Sequence, residues 1–455
     1  MRVKIVDVTL SEGELASGVG FTIDQKVEVA RWLDRAGVDV VEVGRPSVSE
    51  EDFEAVRAVA EEGLRAEVAA VAWPLDEDVE AAVDSGVDRL ALRYPAWRGA
   101  AERLGFSLAK LRGLVEGARE RGLKVTVVAE WAGRASLSEL AEVALAAEGA
   151  EALCLADTSS LLTPSGASSL VREAARLGAG LRLEARFHDA LGLAVANSLA
   201  AVEAGAEGLH CSVNGLGEGP GLASLSEVAL SLRRALGSSP LDPTSLRKLS
   251  EVVEKFSGVL ARSQGSLMGD GSFSVKSWPR IDLALEGLPS LWPVSPGEVG
   301  ARVEVEVSKH CSARGLAYRA RRAGYELSEE EVGRALRALK SSARRVVSDA
   351  DLASLIEEAV GARPAVQQRV EALVMVQCVS NVHTSTVARR ILSVEGVEGV
   401  EEVTGEFDIG VRLSADSVVQ LNERLDRIRS IKGVAGTRTM FILRKYPAGR
   451  GEGRG

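Results

Sequence analysis

The chain has few side chains suited to proton or metal chemistry, and they are widely spaced. It contains four histidines, His188, His210, His310 and His383, and four cysteines, Cys154, Cys211, Cys311 and Cys378, with no Cys-x-x-C pair. Carboxylates recur just after short apolar runs: Asp7 and Glu12, Glu42, Glu130, and Asp157 beside Thr158. His188 follows another such run, and Arg93, Thr9, Ser212 and Asn214 occupy equivalent positions. If those run ends converge, a ring of carboxylates with one histidine can hold a hard divalent cation. The plainer alternative is that each polar residue caps a helix or ties a loop.

Convergence depends on the elements. Over the first 240 residues one unit repeats: a Val/Ile/Leu/Ala run, a polar turn, then an amphipathic helix. The runs span residues 3–8, 38–43, 66–71, 89–92, 124–129, 152–156, 181–187 and 207–213, with helical patterns such as 24–36, 50–62, 107–121 and 137–147 between them. Near-continuous apolar strands alternating with helices indicate a parallel sheet buried on both faces. Eight units predict a closed (β/α)8 TIM barrel, whose chemistry sits at the C-terminal strand ends. An open doubly wound sheet would want a Gly-x-Gly-x-x-Gly turn after the first strand, and none is present.

The organisation expected is a barrel over 1–262, a Gly/Ser/Pro-rich connector over the barrel mouth at 263–299, and a charged helical subdomain at 300–365. Residues 370–446 read strand, helix, strand, strand, helix, strand, the order of a ferredoxin-like α+β domain. A Gly/Arg-rich tail, 447–455, reads as disordered. At 455 residues and 46% hydrophobic, with 26% charged, the chain is globular in composition. A formal charge of −10 argues against nucleic acid as a partner. No apolar run is long enough to span a membrane. The unpaired cysteines and the absence of a secretory leader point to the cytoplasm.

Several ordered motifs resemble the isopropylmalate synthase/homocitrate synthase family. They are Ile5-Val6-Asp7-Val8-Thr9-Leu10-Ser11-Glu12-Gly13-Glu14, Gly37 to Pro46, Leu155-Ala156-Asp157-Thr158 with Pro164, His188 to Leu199, and Val213-Asn214-Gly215-Leu216-Gly217-Glu218. The resemblance implies an acyltransferase of amino-acid (lysine) biosynthesis that condenses acetyl-CoA with a 2-oxoacid, 2-oxoglutarate favoured, around Mg2+ or Mn2+. It also implies Glu12 and His188 as metal ligands, Glu130 and His310 as catalytic residues, and Asp7, Glu42, Asp157 and Thr158 as substrate contacts.

Several family positions are substituted. The first histidine of the His-x-His pair is Arg186, the metal-shell asparagine is Leu222, the arginine beside the metal carboxylate is Ser11, and two later histidines are Val275 and Arg280. Because side chains alternate along a strand, Arg186 shares the face of His188. It is expected to pair with Glu12 and leave the metal site empty. His210 lies two residues before Ser212 and also points inward, with no ligand role expected. A silent paralogue, sensing an amino acid or binding a partner, therefore stands beside the synthase reading.

Residues 370–446 resemble the Lrp/AsnC effector-binding domain, most clearly in Val403-Thr404-Gly405-Glu406-Phe407-Asp408-Ile409-Gly410-Val411. That resemblance implies homodimerisation and an amino-acid effector near Gly405 and Asp408. A tight turn explains those two residues equally well.

Overall fold

In a computed structural model, the described residues are 2–177, 180–237, 241–261, 266–288, 291–341, 348–361, 370–379, 382–405, 407–416 and 418–442. The expected tail at 447–455 lies outside them. The chain divides into two compact units, residues 1–273 with 292–303, and 274–291 with 304–455. The expected connector, 263–299, is thus shared between the two.

The first unit is a closed barrel of eight parallel strands. They are β1 (Lys4–Asp7), β2 (Val40–Gly44), β3 (Glu67–Ala72), β4 (Arg89–Pro95), β5 (Lys124–Glu130), β6 (Ala152–Asp157), β7 (Arg182–Phe187) and β8 (Gly208–Cys211). Closure comes from β8 pairing with β1, with Lys4 opposite Gly208 and Asp7 opposite Cys211. Helices cover the outside with apolar stripes. The helix Ile23–Ala36 opens on a Thr22–Gln25 capping box, buries Val29, Ala30 and Leu33, and stops at Gly37. Gly37 has a φ of 93°, in the left-handed region that a helix C-terminus assigns to glycine.

Strand alternation separates two environments. Ile5, Val41, Leu90, Leu92 and Val127 join the large core between sheet and helices. Their neighbours turn inward, where the buried apolar side chains form two small groups. One is Val6, Val8, Val40, Ala69 and Leu222, and the other is Ala91, Val128, Cys154 and Ala156. The rest of the lumen is charged. At the N-terminal end, Glu67 accepts from Lys4, Arg89 and Lys124, and Arg89 also reaches Glu151. Ion pairs at that end of a barrel support stability, leaving the C-terminal end for chemistry.

The second unit carries a short parallel pair, β9 (Ser274–Val275) with β10 (Glu304–Val305), in which Val275 is buried. Four helices belong to this part: Trp278–Leu285, Ala313–Arg322, Glu329–Ser341 and Asp349–Val360. A four-stranded antiparallel sheet follows, from β11 (Val370–Cys378), β12 (Val397–Glu402), β13 (Ile409–Ala415) and β14 (Val434–Phe441), in the order β12-β13-β11-β14. Val374, Val376, Val411 and Leu413 on one sheet face pack with Val387 and Ile391 of the helix Thr384–Leu392 and with Leu421, Leu425 and Ile428 of the helix Val418–Arg429. This is the expected ferredoxin-like arrangement. The last strand starts at Val434. Gly436 pairs with Gln377, and the register shifts between Gln377 and Cys378.

Candidate functional site

Four strand ends bring four charged side chains together on the barrel axis. Glu12 follows β1, Glu42 lies in β2, Arg93 in β4 and Arg186 in β7. Arg93 Nη1 is 2.5 Å and Arg186 Nη1 is 3.0 Å from Oε1 of Glu12. Arg186 Nη2 lies 3.1 Å from Glu42 Oε2, and Arg93 Nη2 lies 3.1 Å from Glu42 Oε1. The result is a closed ring of alternating charge, buried throughout. Ser11 Oγ donates to Glu42 Oε1 at 2.6 Å. The pairing expected of Arg186 with Glu12 is therefore present, within a larger assembly.

Electrostatics explains how the ring tolerates burial. Removing an ion from water costs several kcal/mol, offset only where opposite charges and hydrogen bonds surround it. Burial pushes the Glu42 carboxyl upward, but the Arg186 and Arg93 guanidiniums outweigh it and hold it at about 2. Glu12 is likewise pushed up by burial and drawn below the usual carboxylate range by Arg93 and Arg186.

His210 fixes Arg186 from behind. Its Nδ1 lies 3.1 Å from Arg186 Nη2, and its Nε2 lies 2.8 Å from Glu184 Oε2. A guanidinium only donates. Nδ1 must therefore accept, and Nε2–H donates to Glu184. His210 is held as a neutral imidazole, consistent with burial lowering its pKa.

The remaining expected residues divide into those near the ring and those engaged elsewhere. Glu130 Oε1 lies 3.9 Å from both Arg93 Nε and Arg186 Nη1. Its Oε2 accepts from Thr158 Oγ1 at 2.6 Å, and Thr158 accepts from the Trp131 N–H at 3.0 Å. Trp131 adopts a φ of 57°, a left-handed conformation costly for a bulky residue. Asp157 spends both carboxylate oxygens on the backbone N–H groups of Leu161 and Leu162. Asp7 binds the Thr9 N–H, and its Oδ2 is buried without a partner. Burial raises its pKa to about 7, with the Thr9 hydrogen bonds opposing.

His188 forms an isolated bridge with Leu222, and its Nε2 is buried without a partner. Burial lowers its pKa although Glu12 opposes the shift. His310 belongs to the second unit, where its carbonyl accepts from the Trp278 N–H. Gly405 and Asp408 share the turn between β12 and β13. Asp408 Oδ2 accepts from the Cys378 N–H at 2.7 Å, and Gly405 has a φ of 130°.

A divalent cation does not fit the residues present at the mouth. Oε1 of Glu12 is taken by two guanidiniums, and the position opposite His188 is the apolar Leu222, packed with Val6 and Val8. Among the described residues, no group of three or more His, Cys, Asp or Glu side chains is arranged to hold a metal ion. A divalent ion about 4 Å from one guanidinium meets an opposing term of about 8 kcal/mol at an effective dielectric near 20.

Sequence reasoning placed Arg93 at a strand end without assigning its partners. It lies one strand period from Ala91 in a run that is otherwise apolar, and a buried arginine there requires carboxylates nearby.

Comparison with known proteins adds two domains and a set of relatives. Residues 2–253, more than half the chain, match the HMGL-like family model, and residues 371–451 match the Lrp/AsnC ligand binding domain. The homocitrate synthase of Sulfurisphaera tokodaii is 33% identical over 462 residues, covering 98% of this chain and 100% of that protein. The homocitrate synthase of Sulfolobus acidocaldarius is 33% identical over 470 residues, 98% of each. Among solved structures, the HMG-CoA lyase from Brucella melitensis superposes with a TM-score of 0.51 at 19% identity, covering 57% of this chain and 99% of that one. The hydroxymethylglutaryl-CoA lyase from Pseudomonas aeruginosa gives 0.51 at 23% identity, covering 58% and 95%. These two structures speak to the barrel fold alone. Among the described residues, no helix is long and apolar enough to cross a membrane.

Proposed function

Starting from a chain that belongs to the homocitrate synthase family, with an HMGL-like barrel and an Lrp/AsnC ligand-binding domain, we propose that it no longer runs metal-dependent condensation and acts as an amino-acid-responsive regulatory or partner-binding protein. The observation that carries this reading is the Glu12–Arg186–Glu42–Arg93 ring. Condensation requires an electrophile-activating cation on the 2-oxoacid oxygens and a base for the acetyl-CoA methyl group. Here both guanidiniums are committed to carboxylates of the protein, so neither is free to bind a dicarboxylate substrate. Glu12 and Glu42 are held ionised by the two guanidiniums, and Leu222 stands opposite His188. The intact C-terminal sheet supports an effector role, with an amino acid bound near Gly405 and Asp408 and two copies of the chain assembling there.

A second reading retains the family activity: condensation of acetyl-CoA with a 2-oxoacid, 2-oxoglutarate favoured. One observation favours it. The Trp131 backbone at a φ of 57° maintains the Thr158–Glu130 hydrogen bond, and strain of that kind persists where the surroundings enforce it.

Release of CoA thiol from acetyl-CoA separates the two readings. The assay uses the folded full chain at elevated temperature, with Mg2+ or Mn2+ and a panel of 2-oxoacids. An active homocitrate synthase run alongside shows that release can be detected. No release supports the first reading, and metal-dependent release with one oxoacid establishes the second. Melting temperatures across the twenty amino acids test the effector role, which an unchanged value for every one would reject.

A further inference from the structure

We propose that a cleft on the outer face of β4 is a binding site for a small primary amine with a compact apolar body, separate from the barrel mouth. The inference holds under either reading of the mouth.

The site follows from strand alternation. Arg93 turns into the lumen to join the charged ring, so Tyr94, the next residue of β4, points outward into the core between sheet and helices. There it lines a cleft of about 220 Å3 beside the helices Arg98–Leu104, Leu108–Glu120 and Leu137–Ala146. Packed protein leaves few voids larger than a water molecule, so this space is a departure from ordinary packing. It falls below the roughly 300–1000 Å3 of pockets for drug-sized ligands, which limits the occupant to a small molecule.

Much of the wall is apolar: Pro95, Ala101, Phe106, Leu108 and Val143. Phe106 stacks on Trp73, with ring centroids 5.9 Å apart and planes 16° from parallel, which fixes its orientation.

Two polar features select the head group. Tyr94 is 3% exposed, and its hydroxyl makes no hydrogen bond with any described residue. A buried hydroxyl without a partner costs free energy, which a ligand in the cleft relieves. The charged side chains lining the cleft are one cation, Arg98, against three carboxylates, Glu102, Glu139 and Glu142. Arg98 Nη2 lies 2.9 Å from both oxygens of Glu142, and Glu139 accepts from the backbone N–H groups of Arg98 and Ser136. Glu102 makes no ion pair with any described residue. Burial first, and then the Glu142 carboxylate, push the Tyr94 phenol above its ordinary pKa, so that carboxylate acts on the same hydroxyl.

An ammonium offers three donors and no acceptor. That matches the Tyr94 oxygen together with the carboxylates of Glu102 and Glu142. A carboxylate ligand would meet the same negative charges with Arg98 already engaged. The body of the amine rests on Ala101, Phe106, Leu108 and Val143.

The test uses the full chain and three probes that share one branched skeleton: isopentylamine, isopentanol and isovalerate. Each is titrated by calorimetry and by ligand-observed NMR. Isopentylamine is expected to bind saturably at millimolar concentration to a single site, isopentanol more weakly, and isovalerate not at all. Tyr94→Phe keeps the ring, loses the hydroxyl, and should weaken amine binding about fivefold. Glu102→Gln should weaken it by a similar factor, and Ala101→Leu, which fills the cleft, should abolish it.

No saturable binding of the amine by the folded parent would overturn the proposal, as would isovalerate binding equally well. Amine binding that Tyr94→Phe and Glu102→Gln leave unchanged puts the ligand elsewhere and also overturns it. Should Ala101→Leu fail to fold, those two variants decide. CoA release bears on the proposed function alone, because none of these residues belongs to the mouth.

Discussion

The Nη1 atom of Arg186 lies 3.0 Å from Oε1 of Glu12, while the other end of the same guanidinium lies 3.1 Å from Glu42. One arginine thus joins the β1 and β2 ends to β7 across the barrel axis. Removing one member of a buried pair leaves an uncompensated charge and costs about 3–5 kcal/mol. Glu12→Gln and Arg186→Met are each expected to destabilise the barrel by that amount in chemical denaturation. The double variant should lose less than the sum of the two, with a coupling of about 1–3 kcal/mol.

Stability should respond to pH in two opposed ways. Glu42, depressed from 4.5 to about 2, contributes stability that is present above 4.5 and lost as pH falls toward 2. Asp7, raised from 3.8 to about 7, contributes stability present below 3.8 and lost as pH rises through 7. His188 and His210, held neutral by burial, add the opposite slope below their ordinary value of 6.5. The informative measurement is therefore the difference between parent and Asp7→Asn. The Asn variant should gain on the parent from about pH 4 to 7, by up to about 4 kcal/mol. A flat difference curve would remove Asp7 from this account.

Trp131 holds the Glu130–Thr158 pair through a left-handed backbone. Trp131→Gly and Trp131→Ala lose the same indole but differ in tolerance of a φ of 57°. The glycine variant should be the more stable by about 1 kcal/mol. Equal stabilities would mean that the backbone relaxes freely there.

In the C-terminal domain, Gly405 has a φ of 130° with open space around it. Gly405→Ala is therefore expected to cost about 1–3 kcal/mol from backbone strain and not from a clash. Asp408→Ala removes the acceptor of the Cys378 N–H and should cost about 1–3 kcal/mol. Denaturation followed by a probe in this domain reads both.

Much of this was legible in the sequence. Eight apolar runs gave eight barrel strands, and the strand ends singled out in the sequence place Glu12, Glu42 and Glu130 around the same two arginines. Period-two alternation placed Arg186 on the inward face with His188, which is why its pairing with Glu12 could be anticipated. Arg93 was harder. Its partners lie on β1 and β2, and nothing local in a strand specifies which residues face it across a barrel. Asp157 shows the opposite limit, since its conspicuous position is explained by two backbone N–H groups of its own loop. The element order of residues 370–446 was legible, whereas the register of β14 on β11, with its shift between Gln377 and Cys378, is set by pairing across the sheet and has no local signal.

The most direct measurement of the central claim is diffraction from crystals of the full chain grown with Mn2+, using its anomalous signal. The account predicts the Arg186 guanidinium between Glu12 and Glu42, with no anomalous peak in contact with Glu12 or His188. A Mn2+ peak coordinated by both Glu12 and His188, with Arg186 displaced, would contradict it.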